Sequence, residues 1–449
     1  MLPRLSALQA PAPEQASPVT LSTLPTPIVH RILSLVPPPL SRLRCAEVCR
    51  AWRAALAEPG PWTHLDLLDV NDVHPYRGDA HARARMDVLL RGFAARAGGA
   101  LVSLHVDLRR VTWELLLKVL ADNVGTLREL HTSSSRDPGV LTRRFSSPRS
   151  LEQLLRAAPR LRTLVANLYA VPAAAETRRA LRNEAPFGPL RVRLLHASFD
   201  GVDTENAVAF AADVAAHTSI AELIVYDAHL DNATVLDAVV GAAMALPKLQ
   251  AFNLHTSWLS LASASHLARM FRHRSLTTLE MDTVYAVDGW LSPSLTQALR
   301  SNATLTSLTL TSVGLFRDPG AGAALLGALT GHARLQELRL IDNSVPQDGD
   351  AIVGAALGEL VAANTPALTY LDTWSQCLRD DCLRPLFEAL PQNTHLRTLD
   401  CQSAGTTDDF NASVVLPAVR ANGSLRRLEL EPRRSALDEA MQLVQDRNQ

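Results

Sequence analysis

The chain has 449 residues, 47% hydrophobic and 20% charged. This composition supports a sizeable core and excludes general disorder, and the length suits one compact module followed by a repeat array better than a single globular core. A net charge of −1 argues against bulk electrostatic binding of nucleic acid.

The balance is uneven. Residues 1–200 carry 27 Lys and Arg against 17 Asp and Glu, and residues 201–449 carry 17 against 28. An elongated fold would therefore have a strong electric dipole. Only Lys118 and Lys248 are lysines, beside 42 arginines. Cys45, Cys49, Cys377, Cys382 and Cys401 are odd in number and form no CxxC, unlike a secreted disulfide framework. No signal peptide and no apolar run of the ~18 residues a membrane helix needs is found. The expected setting is the cytoplasm or nucleus, without a membrane. The sequons at Asn232, Asn302, Asn411 and Asn422 would then meet no glycosylation enzyme.

Residues 1–20 are rich in Pro and Ala, lack periodicity and are expected to form a disordered tail. Residues 21–67 are different. Ile28, Ile32 and Leu35 fall on one face of a predicted helix that Pro25 and Pro27 suit at its start and Pro37–Pro39 end. Val48, Trp52 and Ala55 mark a later helix, and Trp62 follows. A helical unit of ~40 residues cannot bury enough surface to be stable alone. Each further Leu or Ile buried on a partner would add ~1.5–3 kcal/mol.

Residues 68–100 are expected to be a connecting loop and helix. From 101 to 430 one pattern recurs every 26 to 34 residues: an apolar residue, two variable ones, an apolar one, one variable, then usually another apolar one. Leu276, Leu279 and Met281 show it, as do Leu305, Leu308 and Leu310, then Leu335, Leu338 and Leu340. Trp62, Leu65 and Leu67 read as an earlier, divergent copy. Helical patterns lie between copies, as at Leu291, Leu295, Ala298 and Leu299, or Leu325, Leu326 and Leu329. A strand and a helix in each repeat cannot bury their apolar faces alone, whereas stacked repeats bury them in one continuous core. The Ser- and Arg-rich stretch from His131 to Ser150 is an insertion, and residues 431–449 read as a polar terminal cap.

Two resemblances follow from these residues. Leu24-Pro25, the two helical runs, Val48-Cys49-Arg50-Ala51-Trp52-Arg53 and Trp62 together resemble an F-box. Thr26-Pro27 departs from it, since the family usually has an acidic residue there. The repeats resemble leucine-rich repeats of the ribonuclease-inhibitor type, with Asn-x-Ser/Thr/His-Leu before the strands at Asn302, Asn393 and Asn422. In that family Asn or Cys often stands three places after the third core position; here Asn343 fits, while Ala228, Ser257, Val313 and Ala404 do not, so a regular ladder there is not expected.

The resemblances imply an α/β fold: a leucine-rich-repeat solenoid, a curved horseshoe with strands on the concave face and helices on the convex face, preceded by a small all-α F-box. They also imply a substrate-recognition subunit of an SCF-type ubiquitin ligase, without catalysis of its own. The F-box would bind a Skp-type adaptor and, through it, a cullin scaffold. Its adaptor-binding residues would be Leu24, Pro25, Ile28, Ile32, Leu33, Leu43, Val48 and Trp52. The alternative is a repeat scaffold without a ubiquitin role, in which the helical segment only caps the array.

No enzyme signature supports a catalytic reading. GxGxxG, HExxH and GxSxG are absent, and Gly322 to Gly327 has Walker-like spacing without the following Lys. The glycines Gly320, Gly322 and Gly327 read better as relief of crowding in a repeat helix. Cysteines and histidines show no metal-ligand spacing, so neither a cofactor nor a metal is expected.

Strand side chains alternate, so positions between core leucines face the concave surface. In the second half these include Tyr226, Glu280, Asp282, Glu337, Tyr370, Asp372, Trp374, Asp400 and Glu429. Stacked carboxylates beside aromatics suit a basic protein partner. The first half gives a mixed set: His105, Asp107, Glu129, His131, Asn167 and His196. Arg339 and Arg427 are the basic residues inferred on this face, too few for the basic pocket of a small-molecule-gated receptor.

Overall fold

Alternating apolar positions make strands only where the apolar side can be buried. The computed structural model shows how this chain meets that condition. It describes residues 24–35, 50–67, 79–107, 110–133, 153–154, 156–170, 173, 175–184, 191–228, 233–259, 261–286, 291–374, 378–402, 406–430 and 435–448. The chain forms two compact units, residues 1–133 and 134–449.

In the first unit the helix Thr26–Leu35 opens with Ile28 and Val29 donating backbone N–H groups to the Pro25 carbonyl at 2.9 and 3.1 Å. Its buried face is not the expected one. Val29 and Leu33 are buried, whereas Ile28 is 47% exposed and Ile32 half-buried. Both i, i+4 pairs are apolar, so periodicity fits either face, and packing within the unit selects Val29 and Leu33. Trp52, Ala55 and Leu56 are buried along and just beyond the helix Arg50–Ala55. Trp62 is fully buried, stacks on Phe93 at 5.4 Å and donates its indole N–H to the Leu56 carbonyl at 2.8 Å. Gly60 lies against His30: a Cβ there would stand 2.7 Å from Nδ1.

Three parallel strands follow: β1 (His64–Asp66), β2 (Ser103–Asp107) and β3 (Glu129–Ser133). Leu65, Leu104 and Leu130 are in register, all buried. The Trp62-Leu65-Leu67 copy is therefore a strand of the series, which opens before residue 101. Its hydrogen bonds make it so: Leu67 N–H donates to the His105 carbonyl at 2.9 Å and Val102 N–H to the Thr63 carbonyl at 2.7 Å. The helices Asp79–Ala97 and Trp113–Asp122 bury Met86, Leu90, Phe93, Leu116 and Leu120.

The second unit holds ten parallel strands in chain order: β4 (Thr163–Ala170), β5 (Arg191–Ser198), β6 (Glu222–Ala228), β7 (Ala251–Leu259), β8 (Thr278–Ala286), β9 (Ser307–Thr311), β10 (Glu337–Ile341), β11 (Tyr370–Asp372), β12 (Thr398–Cys401) and β13 (Arg427–Leu430). One apolar row crosses nine of them: Leu195, Leu223, Phe252, Leu279, Leu308, Leu338, Leu371, Leu399 and Leu428. All nine are buried. Helices alternate with the strands, so each leucine packs where its neighbour's helix and strand leave space.

β4 breaks the rule. The repeat predicts Leu164 opposite Leu195, but Leu168 pairs there, with a register shift between Ala166 and Asn167. β4 has apolar residues at both phases (Leu164, Val165, Leu168), so alternation alone does not fix its register.

The loops entering the strands are tied by buried amides. Asn302 Oδ1 accepts the backbone N–H groups of Thr304 and Leu305 at 3.0 and 2.8 Å, and its Nδ2 donates to the Phe271 carbonyl of the preceding repeat at 2.6 Å. Asn393 and Asn422 repeat the arrangement, reaching back to the carbonyls of Val361 and Leu390. His332 takes the same place: its Nδ1 accepts from Arg334 and Leu335 at 3.3 and 3.0 Å. The ladder thus stands before the strands, not after them. Past β10, Asn343 ties its own turn, donating to the Leu310 and Ile341 carbonyls and accepting from Leu315 N–H. Asn302, Asn411 and Asn422 are all buried, so three sequons serve packing; Asn232 lies outside the described residues.

Glycine is needed where helices approach closely. A Cβ on Gly354 or Gly358 would stand 2.6 Å from the Cys382 carbonyl oxygen or 2.8 Å from Pro385 Cβ, so these glycines admit the helix Asp380–Ala389 against Asp350–Ala362. Gly322 meets the Leu315 carbonyl and Phe316 in the same way, whereas Gly327 meets nothing within 4 Å. Among the described residues, no helix is long and apolar enough to cross a membrane.

Candidate functional site

Two surfaces carry the residues singled out by the sequence. The first is the helix Thr26–Leu35 and its entry. Pro25 and Ile28 are exposed, and Leu24 and Ile32 are half-buried. Leu33, expected at an adaptor surface, is fully buried, and Trp52 is 7% exposed. These two hold the unit together from inside. Leu43 and Val48 lie outside the described residues. The face left open is therefore Leu24, Pro25, Ile28 and Ile32, an apolar set on one side of one helix.

The second surface is the outward side of the strands, between the buried leucines. From β10 to β13 one register row reads Arg339, Asp372, Asp400 and Glu429. Neighbouring strands are about 4.8 Å apart, so these charges interact directly. Arg339 splits the expected row of carboxylates. Its Nε donates to Glu337 Oε1 at 2.7 Å, and its guanidinium lies 4.8 Å over the Tyr370 ring. Ser307 Oγ donates to the other Glu337 oxygen at 3.2 Å. Glu429 pairs with Arg427 at 3.3 Å.

Asp372 and Asp400 have no such cation partner among the described residues. Burial pushes the Asp372 carboxyl above its ordinary range despite the N–H it accepts from Trp374. Burial, then the charge of Asp372, pushes Asp400 up as well. Trp374 lies beyond the end of β11, not within it, and is 41% exposed beside this pair. The result is a pair of uncompensated carboxylates next to an exposed indole, which favours a cation brought from outside.

From β5 to β8 the outward side is aromatic. His196 stacks on Tyr226 at 5.9 Å, and Tyr226 on His255 at 4.6 Å. His255 Nδ1 stands 3.5 Å from Asp282 Oδ2. Glu280 follows on the same face of β8, half-buried like Asp282. Burial, then His255, holds His196 down to about 4. In the first unit His105 and His131 stack at 4.0 Å, and Asp66 Oδ2 accepts from His105 Nδ1 at 3.0 Å. Asp107, expected on this surface, is instead buried beside Arg110 at the strand end. The side chain of Asn167 lies outside the described ones. The stacking was hidden in the sequence because His105 and His131 stand 26 positions apart and become neighbours only through register.

Cys382 and Cys401 are buried, and burial pushes both thiols up to about 12, which makes them packing groups rather than nucleophiles. Among the described residues, no three metal-ligating side chains converge.

No curated protein matches the chain. A crystal structure of a Bacteroides fragilis protein is 12% identical, with a TM-score of 0.31 over 55% of this chain and 78% of that one. TLR13 in its complex with ssRNA13 is 17% identical, with a TM-score of 0.28 over 76% of this chain and 38% of that one. The repeat architecture rests instead on this chain's own strand register. Residues 21–68, which contain the open face of the first helix, match the F-box-like family model.

Proposed function

We propose that the chain is the substrate-recognition subunit of an SCF-type ubiquitin ligase, at work in the cytoplasm or nucleus. The match of residues 21–68 to the F-box-like family carries this reading. F-box domains bind Skp-type adaptors, and the apolar positions Leu24, Pro25, Ile28 and Ile32 are available for such a contact. A cullin scaffold would join through the adaptor. The leucine-rich repeats would hold the target protein on their outward strand face, around Tyr226, Glu280, Asp282, Glu337, Tyr370, Asp372, Trp374, Asp400 and Glu429.

Such a receptor does no chemistry. It supplies proximity, by keeping a target lysine near the ubiquitin carrier so that transfer becomes effectively intramolecular. The uncompensated Asp372 and Asp400 favour a basic target segment. Co-purification with a Skp-type adaptor and a cullin tests the proposal. The wild type should co-elute with both, and Leu24→Ala with Pro25→Ala should elute alone. If the wild type also elutes alone, the helical segment is a cap and the protein a repeat scaffold.

A further inference from the structure

The outward face of the first unit carries an arrangement that the receptor reading leaves unused. Asp66, His105 and His131 occupy one register row on β1, β2 and β3. All three are half-buried and accessible. Asp66 Oδ2 stands 3.0 Å from His105 Nδ1. An Asp carboxylate accepts, so this contact fixes the imidazole with its proton on Nδ1 and its lone pair on Nε2. A carboxylate bonded to the far nitrogen of an imidazole is the arrangement that orients metal-binding histidines and raises their basicity. The second imidazole, His131, lies parallel to the first with ring centroids 4.0 Å apart and 26° between planes.

The spacing suits one ion. At Zn–N distances of about 2.0–2.1 Å, two nitrogens on a tetrahedral ion are about 3.3 Å apart. A small rotation of either ring brings two nitrogens of rings at 4.0 Å to that separation. We propose that His105 and His131 form a two-imidazole site for a borderline divalent transition metal such as Zn²⁺, with Asp66 orienting His105 from outside the coordination shell. Two protein ligands leave about half of a tetrahedral shell to water or to a donor brought by a bound partner. The site is independent of the adaptor-binding proposal, because it uses no residue of the Leu24–Ile32 face.

Titration of the full-length chain with Zn²⁺ alone, followed by calorimetry, tests it. The wild type should bind one ion saturably. His105→Gln and His131→Gln should each abolish that binding. Asp66→Asn should weaken it by roughly 10- to 100-fold while leaving both ligands in place. His255→Gln, which alters a histidine of the second unit, should leave it unchanged, and circular dichroism should show all four variants folded. The absence of saturable binding in the wild type would overturn the site. Binding that survives both His105→Gln and His131→Gln would overturn it equally, by placing the ion at other histidines.

Discussion

At the scale of single residues, the place before each strand decides much of the stability. Asn302, Asn393 and Asn422 fill it with an amide that accepts two backbone N–H groups and donates to the repeat behind. Losing such an amide leaves buried partners unsatisfied, so Asn422→Ala should cost about 1–3 kcal/mol in chemical denaturation. His332 does the accepting part of the job through Nδ1, and only a neutral imidazole offers that lone pair. Burial holds His332, His273 and His196 below the ordinary histidine range, His196 down to about 4. The unfolded chain therefore takes up these protons first. Stability is full above the unfolded value of about 6.5 and falls with pH through the window between it and the folded values. For His196 alone the loss is roughly 3 kcal/mol. Asp372 and Asp400 act with the opposite sign, since their raised values remove stability as pH rises through the carboxylate range. The melting temperature should thus drop between pH 7.5 and 5.5. His332→Asn should keep its value at pH 7.5 and lessen the drop; an unchanged slope would show that His332 does not titrate in this window. The sequence displayed the asparagine form of this place but not its histidine form, because equivalence of the two side chains rests on which atom accepts.

Among elements, the helices set how closely repeats can stack. Gly354 and Gly358 let Asp350–Ala362 lie on Asp380–Ala389, with no room for a Cβ at either. Gly354→Ala should destabilise the second unit by about 1–3 kcal/mol through overpacking. Gly327→Ala, in a helix but facing open space, should be neutral or gain about 0.5–1 kcal/mol. Urea denaturation of both variants separates a packing role from a general helix effect, because equal shifts would leave the close approach without energetic weight. The strand rows were legible in the sequence, since a leucine recurs in register from Leu279 to Leu428 and nothing else fits its place. The first helix and β4 were not. Ile28-Val29 and Ile32-Leu33 make both helix faces apolar, and Leu164, Val165 and Leu168 make both strand phases apolar. Tertiary contacts choose in such cases, as the burial of Val29 and Leu33 shows.

For the molecule as a whole, the outward strand face and the open side of the first helix offer two different chemistries. On the strand face, Asp372 and Asp400 beside Trp374 predict a partner attracted by charge. A captured partner should bind more weakly between 50 and 300 mM salt, and Asp372→Asn with Asp400→Asn should remove most of that dependence. Salt-independent binding would assign the contact to the aromatics instead. The helix face is apolar, so its contact should depend little on salt. The candidate residues were legible in part: alternation placed Glu280, Asp282, Glu337 and Asp400 on the outward side, but it could not show Arg339 compensating Glu337 or Leu33 and Trp52 turned inward. The central claim is that residues 21–68 bind a Skp-type adaptor through the open side of the first helix. Calorimetric titration of the adaptor into the full-length chain measures it directly. Ile28 is 47% exposed, so Ile28→Asp leaves the fold intact and removes only the contact. Saturable binding by the wild type, weakened at least about tenfold in Ile28→Asp at an unchanged melting temperature, is the result the account predicts, tenfold being about 1.4 kcal/mol of contact. No binding by the wild type, or equal binding by both, would contradict it.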